Sequence, residues 1–433
     1  NIPKTCSSCH LGIYREYKES IHGKAALAGL RDSPVCTDCH GEHDIEAPEE
    51  PTSAVYAAVI SKTTCPRCHG SERLTRKYGL PAAQVKSYQD SFHGLADRFG
   101  ETAVANCASC HGVHDIRPSS DPKSAIHKDN IPATCGKCHP GAGPNFARGT
   151  IHVQVTTKQD RLLYYVRIFY ITLIVVTISG MAIHNGLDYT KKIREYHKAT
   201  RSKVRYQRFT VNERIQHALL LVSFFVLVIT GFALKFPDAF WVKPFLVFKL
   251  GFLVRGYAHR VAAVVFMLLC LYHIYYMLAT ARGREQLVAL LPREKDRQDV
   301  LHQTRYFLGY EEHRAKFARF SYIEKSEYLA LAWGSVIMIL TGIILWYQVG
   351  AMEWMPKWGW DLAELVHYYE AWLATLAIIV WHLYHVLFNP EAHGVSLAML
   401  TGELSEEDME HEHGQELEEI KRKEERRSHG NGG

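Results

Sequence analysis

Apolar and polar positions divide the chain into two unlike parts. Up to about Lys158, apolar residues are scattered among charged ones and interrupted by Gly and Pro, without a long alternating run. That pattern predicts short helices and loops rather than strands. Beyond it, apolar runs fall near 162–184, 215–235, 257–279, 327–348 and 366–388. Each approaches the ~20 residues with which a helix crosses ~30 Å of hydrocarbon, so five transmembrane helices are predicted. The expected fold is mainly α: a first domain over 1–155 with little regular structure, a five-helix bundle over 156–400, and a charged tail over 401–433. In that tail Glu406, Glu407, Glu410 and Glu418 are mixed with Lys421, Lys423, Arg426 and Arg427, which reads as a solvated or helical segment.

Charge orients the bundle. The connection from Tyr189 to Arg214 carries Lys191, Lys192, Arg194, Lys198, Arg201, Lys203, Arg205 and Arg208, and that from Arg282 to Lys325 is similarly basic. The alternate loops hold Trp241, Trp354, Trp358 and Trp360 with few cations. Cytoplasmic loops collect Lys and Arg while Trp marks the interface, so the first domain is expected outside and the C-terminus inside. A net charge of +5 concentrated beside the spans gives no argument for nucleic acid. A mean hydropathy of -0.14 averages a polar part with a very apolar one. No dinucleotide fingerprint, P-loop or hydrolytic triad signature is found.

The polar part carries the chemistry. Cys-x-x-Cys-His occurs at Cys6, Cys9, His10; Cys36, Cys39, His40; Cys65, Cys68, His69; Cys107, Cys110, His111; and Cys135, Cys138, His139. Two thiols at this spacing add across the two vinyl groups of one porphyrin, and the adjoining imidazole reaches the iron. Zinc does not need a histidine after every second cysteine. Five covalent haems c are therefore expected. Their assembly outside the bacterial cytoplasmic membrane places this domain there, and Asn1 is read as a mature N-terminus. Cys270, in an apolar run, is expected to be an inert small hydrophobe.

Five haems in some 155 residues leave little chain for a conventional core, so the porphyrins must fill it. A repeat supports this. Thr5-Cys6 to His10, Ser20-Ile-His22-Gly and Cys36 to Asp44 recur as Thr64-Cys65 to His69, Ser91-Phe-His93-Gly and Cys107 to Asp115, and a third copy starts at Asn130. Histidines at the same offsets from the motifs, His22, His93, His43 and His114, are expected as distal ligands. His127 and His152 compete for the fifth iron. With both axial positions filled, such irons relay electrons and bind no substrate.

Histidines within spans are costly and usually functional. On the third span His259 and His273 are fourteen residues, about 21 Å, apart, and on the fifth His367 and His382 are fifteen residues, about 22 Å, apart. Each helix thus offers a ligand at two levels, as two stacked haems b require. His385 and His217 are further candidates at the inner level.

Arg214-x-x-His217 leading to Thr230-Gly231, with His367 and the His382-Leu-Tyr triplet, resembles the membrane cytochrome b subunits of formate dehydrogenases and nickel-iron hydrogenases. The resemblance covers about 205–390 and implies His217 with His382 on an inner haem and His259 with His367 on an outer one. An additional first span, His273 and His385 depart from that pattern; His273 with His382 would imitate the helix pairing of bc-type cytochrome b. The whole chain resembles the fused multihaem c and membrane cytochrome b proteins of bacteria that respire with external acceptors.

A wire of two haems b and five haems c needs a mobile two-electron donor in the membrane. Menaquinol from the quinone pool is expected, with electrons leaving to a periplasmic or outer-membrane multihaem cytochrome. The chain is then a quinol oxidoreductase of the bacterial inner membrane; reverse flow, and a non-catalytic anchor with further membrane subunits, are the alternatives. Quinol must also lose protons. Glu370, near His367, is the outer candidate; His184 and Asp188, closing the first span, are inner ones, and the resemblance favours the inner site.

Overall fold

A computed structural model describes residues 2–81, 83–158, 160–195, 204–243, 251–390 and 398–430. Lys198, Arg201 and Lys203 of the expected basic connection lie outside them. The first 155 residues form short helices, among them Ile2–Cys6, Leu11–Glu19, Ile21–Leu27, Cys36–His40, Pro66–His69, Gln84–Asp90, Phe92–Arg98, Cys107–His111 and Ile131–Gly136. The buried apolar side chains described here are Leu74, Leu95, Ala96 and Phe146. That is too little to hold such a length of chain together without another filling.

The sequence repeat is a structural one. Ser20 and Ser91 cap their helices by accepting from the backbone N–H of Gly23 at 2.9 Å and Gly94 at 3.3 Å. A Cβ on Gly23 would stand 1.9 Å from the Tyr17 carbonyl oxygen, and one on Gly94 2.1 Å from that of Tyr88. Only glycine permits this close crossing, which explains the Gly after His22 and after His93. The Tyr17 hydroxyl donates to the Pro34 carbonyl at 2.8 Å and Tyr88 to that of Ala105 at 3.1 Å. Gly41 and Gly112 end their motif helices at φ 86 and 87, so His43 and His114 leave equivalent turns.

Among the described residues, five helices are long and apolar enough to cross a membrane. They are Arg161–Glu195, Val211–Lys235, Gly251–Ala279, Tyr322–Trp346 and Lys357–Ala377, the last continuing through two π-helical turns, Ile378–His382 and Tyr384–Phe388. Each includes or overlaps a predicted run. Such wide turns often mark functional positions in helices.

Two compact units emerge. The first joins Asn1–Tyr165 to Ile229–Ala258 and Ile343–Leu365. Within it, Lys357 Nζ donates to the Thr150 carbonyl at 3.0 Å, Asn145 Nδ2 to that of Glu353 at 3.2 Å, and Phe92 and Phe99 meet Phe252. The motif-bearing segment is thus fastened to the helix ends that share its unit. The second unit comprises Val166–Val228, His259–Gly342 and Val366–Gly433.

Within that second unit the tail is folded back. Strand β1, Arg205–Gln207, pairs antiparallel with β2, Glu403–Ser405. The following helix, Glu406–Gly430, buries Met409 and Leu417 beside Leu404, Tyr206 and Phe209. Of the two expectations for the tail, the helical one holds. Glu416 accepts from Arg208 and Arg319, both at 2.6 Å, and Arg208 also meets Glu324 at 3.2 Å. Arg208 is only 3% exposed, so this cation is a buried, paired anchor of the tail.

Candidate functional site

Four of the five motif histidines stand opposite a second imidazole. Ring centroids are 6.1 Å apart for His69 and His22, 6.2 Å for His40 and His114, 6.1 Å for His139 and His93, and 6.3 Å for His111 and His152. A metal–imidazole bond is about 2 Å and a nitrogen lies roughly 1 Å from its ring centre, so two rings on opposite sides of one iron have centroids about 6 Å apart. Every pair joins one motif histidine to one histidine outside the motifs. These residues fit the axial ligation of covalent haem, and a sparse apolar core leaves the porphyrin plane to fill.

Of the two histidines that competed for the remaining iron, His152 is the one that faces a motif histidine, His111. His127 Nδ1 instead accepts from the Asp129 backbone at 3.4 Å. His43 is exposed, and among the described residues it faces no motif histidine, in contrast to the expectation for it; His10 is likewise exposed and without an opposing ring. Burial lowers the imidazole pKa of His22, to about 4, with the neighbouring His69 adding to the effect; burial lowers His40, His69, His93, His111 and His152 as well. Neutral imidazole is the form that ligates iron.

In the second unit His217 and His382 have centroids 6.3 Å apart, matching the four pairs. His382 Nδ1 faces Glu327 Oε2 at 3.3 Å, and His367 Nδ1 bonds the Thr341 hydroxyl at 2.9 Å. Fixing Nδ1 leaves Nε2 for a metal, the usual arrangement around ligating histidine. A Cβ on Gly342 would lie 3.5 Å from His367 Cε1. His259 lies on the third spanning helix. His273 differs, because Nδ1 bonds Gln216 Oε1 at 2.8 Å and Nε2 the Tyr328 hydroxyl at 3.2 Å. With both nitrogens engaged it serves as a polar link between helices.

The end of the first spanning helix builds a polar cluster. His184 Nε2 bonds the Tyr322 hydroxyl at 2.7 Å, and its ring centroid lies 4.8 Å from that of Trp381. Asp188, 4% exposed, accepts from the Tyr384 hydroxyl at 2.8 Å and pairs with Lys192 at 2.9 Å. Asn185 Nδ2 donates to the Val380 carbonyl at 2.6 Å. Within the π turn that carbonyl is displaced from regular helical bonding, and Asn185 answers it. His385 Nε2 is buried without a hydrogen-bond partner among the described residues.

Glu370 stands apart from this cluster, fourteen residues or about 21 Å of helix rise from Tyr384. It is 6% exposed and faces Gly334, where a Cβ would meet Oε1 at 3.0 Å. Sequence reasoning named His184 and Asp188 but not their neighbours Tyr322 and Tyr384, nor Glu327. Tyr384 was within reach, as the third residue of the His382-Leu-Tyr triplet.

Residues 208–402 match the family described as prokaryotic cytochrome b561. That stretch holds the second to fifth spanning helices and His217, His259, His367 and His382. It indicates a membrane cytochrome of b type that works in electron transfer, with haem b as its cofactor. Among curated proteins nothing matches the chain.

Proposed function

We propose that the chain is a quinol:multihaem-cytochrome oxidoreductase of the bacterial inner membrane. Two haems b and five haems c would supply one-electron relay between a two-electron donor in the membrane and an external cytochrome. The observation that carries this reading is the recurrence of one spacing, 6.1–6.3 Å, at four motif-histidine pairs and again at His217 and His382. His259 and His367 are the proposed second b pair. Covalent haems would put the first domain on the periplasmic side, and the excess of Lys and Arg supports a cytoplasmic side for the basic connections.

The polar cluster supports an enzyme rather than a passive anchor. A quinol hydroxyl needs a hydrogen-bond acceptor and a way out for its proton. His184 and Asp188 provide acceptors, Tyr322 and Tyr384 orient them, and Lys192 pairs with Asp188. The buried Nε2 of His385 is a further polar atom for a quinone oxygen. Glu370 remains the alternative acceptor at the other level. The experiment is reduction of the purified chain by menaquinol: haem b and haem c should both be reduced, and a chain that menaquinol leaves oxidised is not the proposed enzyme.

A further inference from the structure

The ligands of the fourth and fifth motifs are seated on the ends of spanning helices within the first unit. His139 and the His152 that faces His111 bound a strap, residues 139–152, which is fastened to the helices Gln348–Trp354 and Lys357–Ala377. A Cβ on Gly141 would stand 3.4 Å from Val349 Cγ1, and Asn145 Nδ2 donates to the Glu353 carbonyl at 3.2 Å. The Trp358 N–H donates to the Arg148 carbonyl at 3.4 Å, and Lys357 Nζ to that of Thr150 at 3.0 Å. Gly149 leaves room for these last two bonds, since a Cβ there would stand 3.0 Å from Trp358 N and 3.3 Å from Lys357 Cβ. His93, which faces His139, is held in a similar way. Lys235 Nζ donates to the Asp90 carbonyl at 3.2 Å, and the Phe92 ring lies 5.9 Å from that of Phe252.

Lys357 is the charge in this seat. Its side chain is 17% exposed, and its ammonium meets both oxygens of Asp361, one turn on, at 2.7 and 2.9 Å. After burial and the facing imidazole, the Lys357 charge further lowers the proton affinity of His93 and of His152. It reaches Cys135 of the fifth motif as well. One cation thus acts on the ligand sets of two neighbouring motifs. A positive charge that disfavours a proton on an imidazole also disfavours ferric against ferrous iron bound there, because each adds positive charge at the same place.

We propose that Lys357 is a positioning residue shared by the haems at His111–His152 and His139–His93: it ties down the strap between their ligands and raises both midpoint potentials, while Asp361 limits the rise. The inference rests on the proposed reading of these imidazole pairs as axial ligands of covalent haem, and not on the quinol site.

The test is an equilibrium redox titration of the full purified chain, followed at the c-type absorbance and by paramagnetic resonance of the ferric haems, with haem-stained gels confirming unchanged attachment in every variant. Lys357→Gln should lower two of the five c-type potentials by roughly three- to tenfold in the one-electron equilibrium, tenfold being about 59 mV. Lys357→Arg keeps the charge and should leave them in place. Asp361→Asn should move the same two upward, a sign that loosening of the strap does not produce. Movement of one haem alone, of all five alike or of none overturns the proposal. So does a Lys357→Arg shift equal to that of Lys357→Gln, or a downward shift in Asp361→Asn. Fewer than five haems c in the unaltered chain overturn the ligand reading and this inference with it, whereas five attached haems with unmoved potentials overturn this inference alone.

Discussion

The imidazoles of His111 and His152 lie 6.3 Å apart with their planes inclined by 29°, joining the fourth haem motif to a segment beyond the fifth. His152 Nδ1 bonds the Ser87 hydroxyl at 2.8 Å, which fixes the ring and leaves Nε2 free to hold the iron proposed for this pair. His152→Ala should therefore leave five covalent haems attached while converting one from low to high spin. His127→Ala should not add a high-spin haem. Haem-stained gels with paramagnetic resonance check both, and a high-spin haem gained in the His127 variant alone would reverse the assignment.

Glu327 should tune the haem proposed between His217 and His382. A carboxylate on Nδ1 makes the ligand more electron-donating and favours ferric iron. Glu327→Gln should raise that midpoint potential by tens of millivolts, where about 59 mV is a tenfold change for one electron. Redox titration of the b-type absorbance measures it, and an unchanged or lower potential would show that the contact does not act on this haem.

Proton acceptance is tested by Asp188→Asn and Glu370→Gln with haem content intact. The first should slow menaquinol-driven reduction by a factor on the order of 100, typical of losing a general base. Glu370→Gln should have little effect. If only the Glu370 variant is slow, the cluster around His184 is the wrong site.

Docking of the C-terminal helix should depend on pH. Burial lifts the Glu412 carboxyl to about 7 against the pull of Lys192, with Glu324 and Asp408 adding to the rise. Between its ordinary value of 4.5 and about 7 the docked state therefore holds more protons than the undocked one. Docking must weaken as pH rises through that window and level off above it. Hydrogen exchange over residues 406–430, corrected for intrinsic rates, should show protection falling from pH 5 to 7, and Glu412→Gln should remove the fall. Equal protection across the window would contradict it.

Much of this was legible in the sequence because the signals are local or periodic. Cys-x-x-Cys-His states its chemistry within five residues, and each span is written in one apolar run. The pairing of His217 with His382 came through family resemblance. The facing of His152 and His111 was out of reach because it is a contact between distant segments. Charged residues misled most. Arg208 reads as one of a run of loop cations, yet it is buried and pairs with Glu416 in a network that fastens the tail within the second unit. Met409, Leu417 and Ile420 pack with Leu404, Tyr206 and Phe209, although they are apolar positions scattered through a charged run.

The most direct measurement is the reduced-minus-oxidised spectrum of the purified chain after mixing with menaquinol, followed in time at the separate haem b and haem c bands. The account predicts two haems b reduced first and haems c reduced through them, with c reduction lost in His382→Ala although all five c haems stay attached. Haems c reduced normally in that variant, or haems b that menaquinol leaves oxidised, would contradict it.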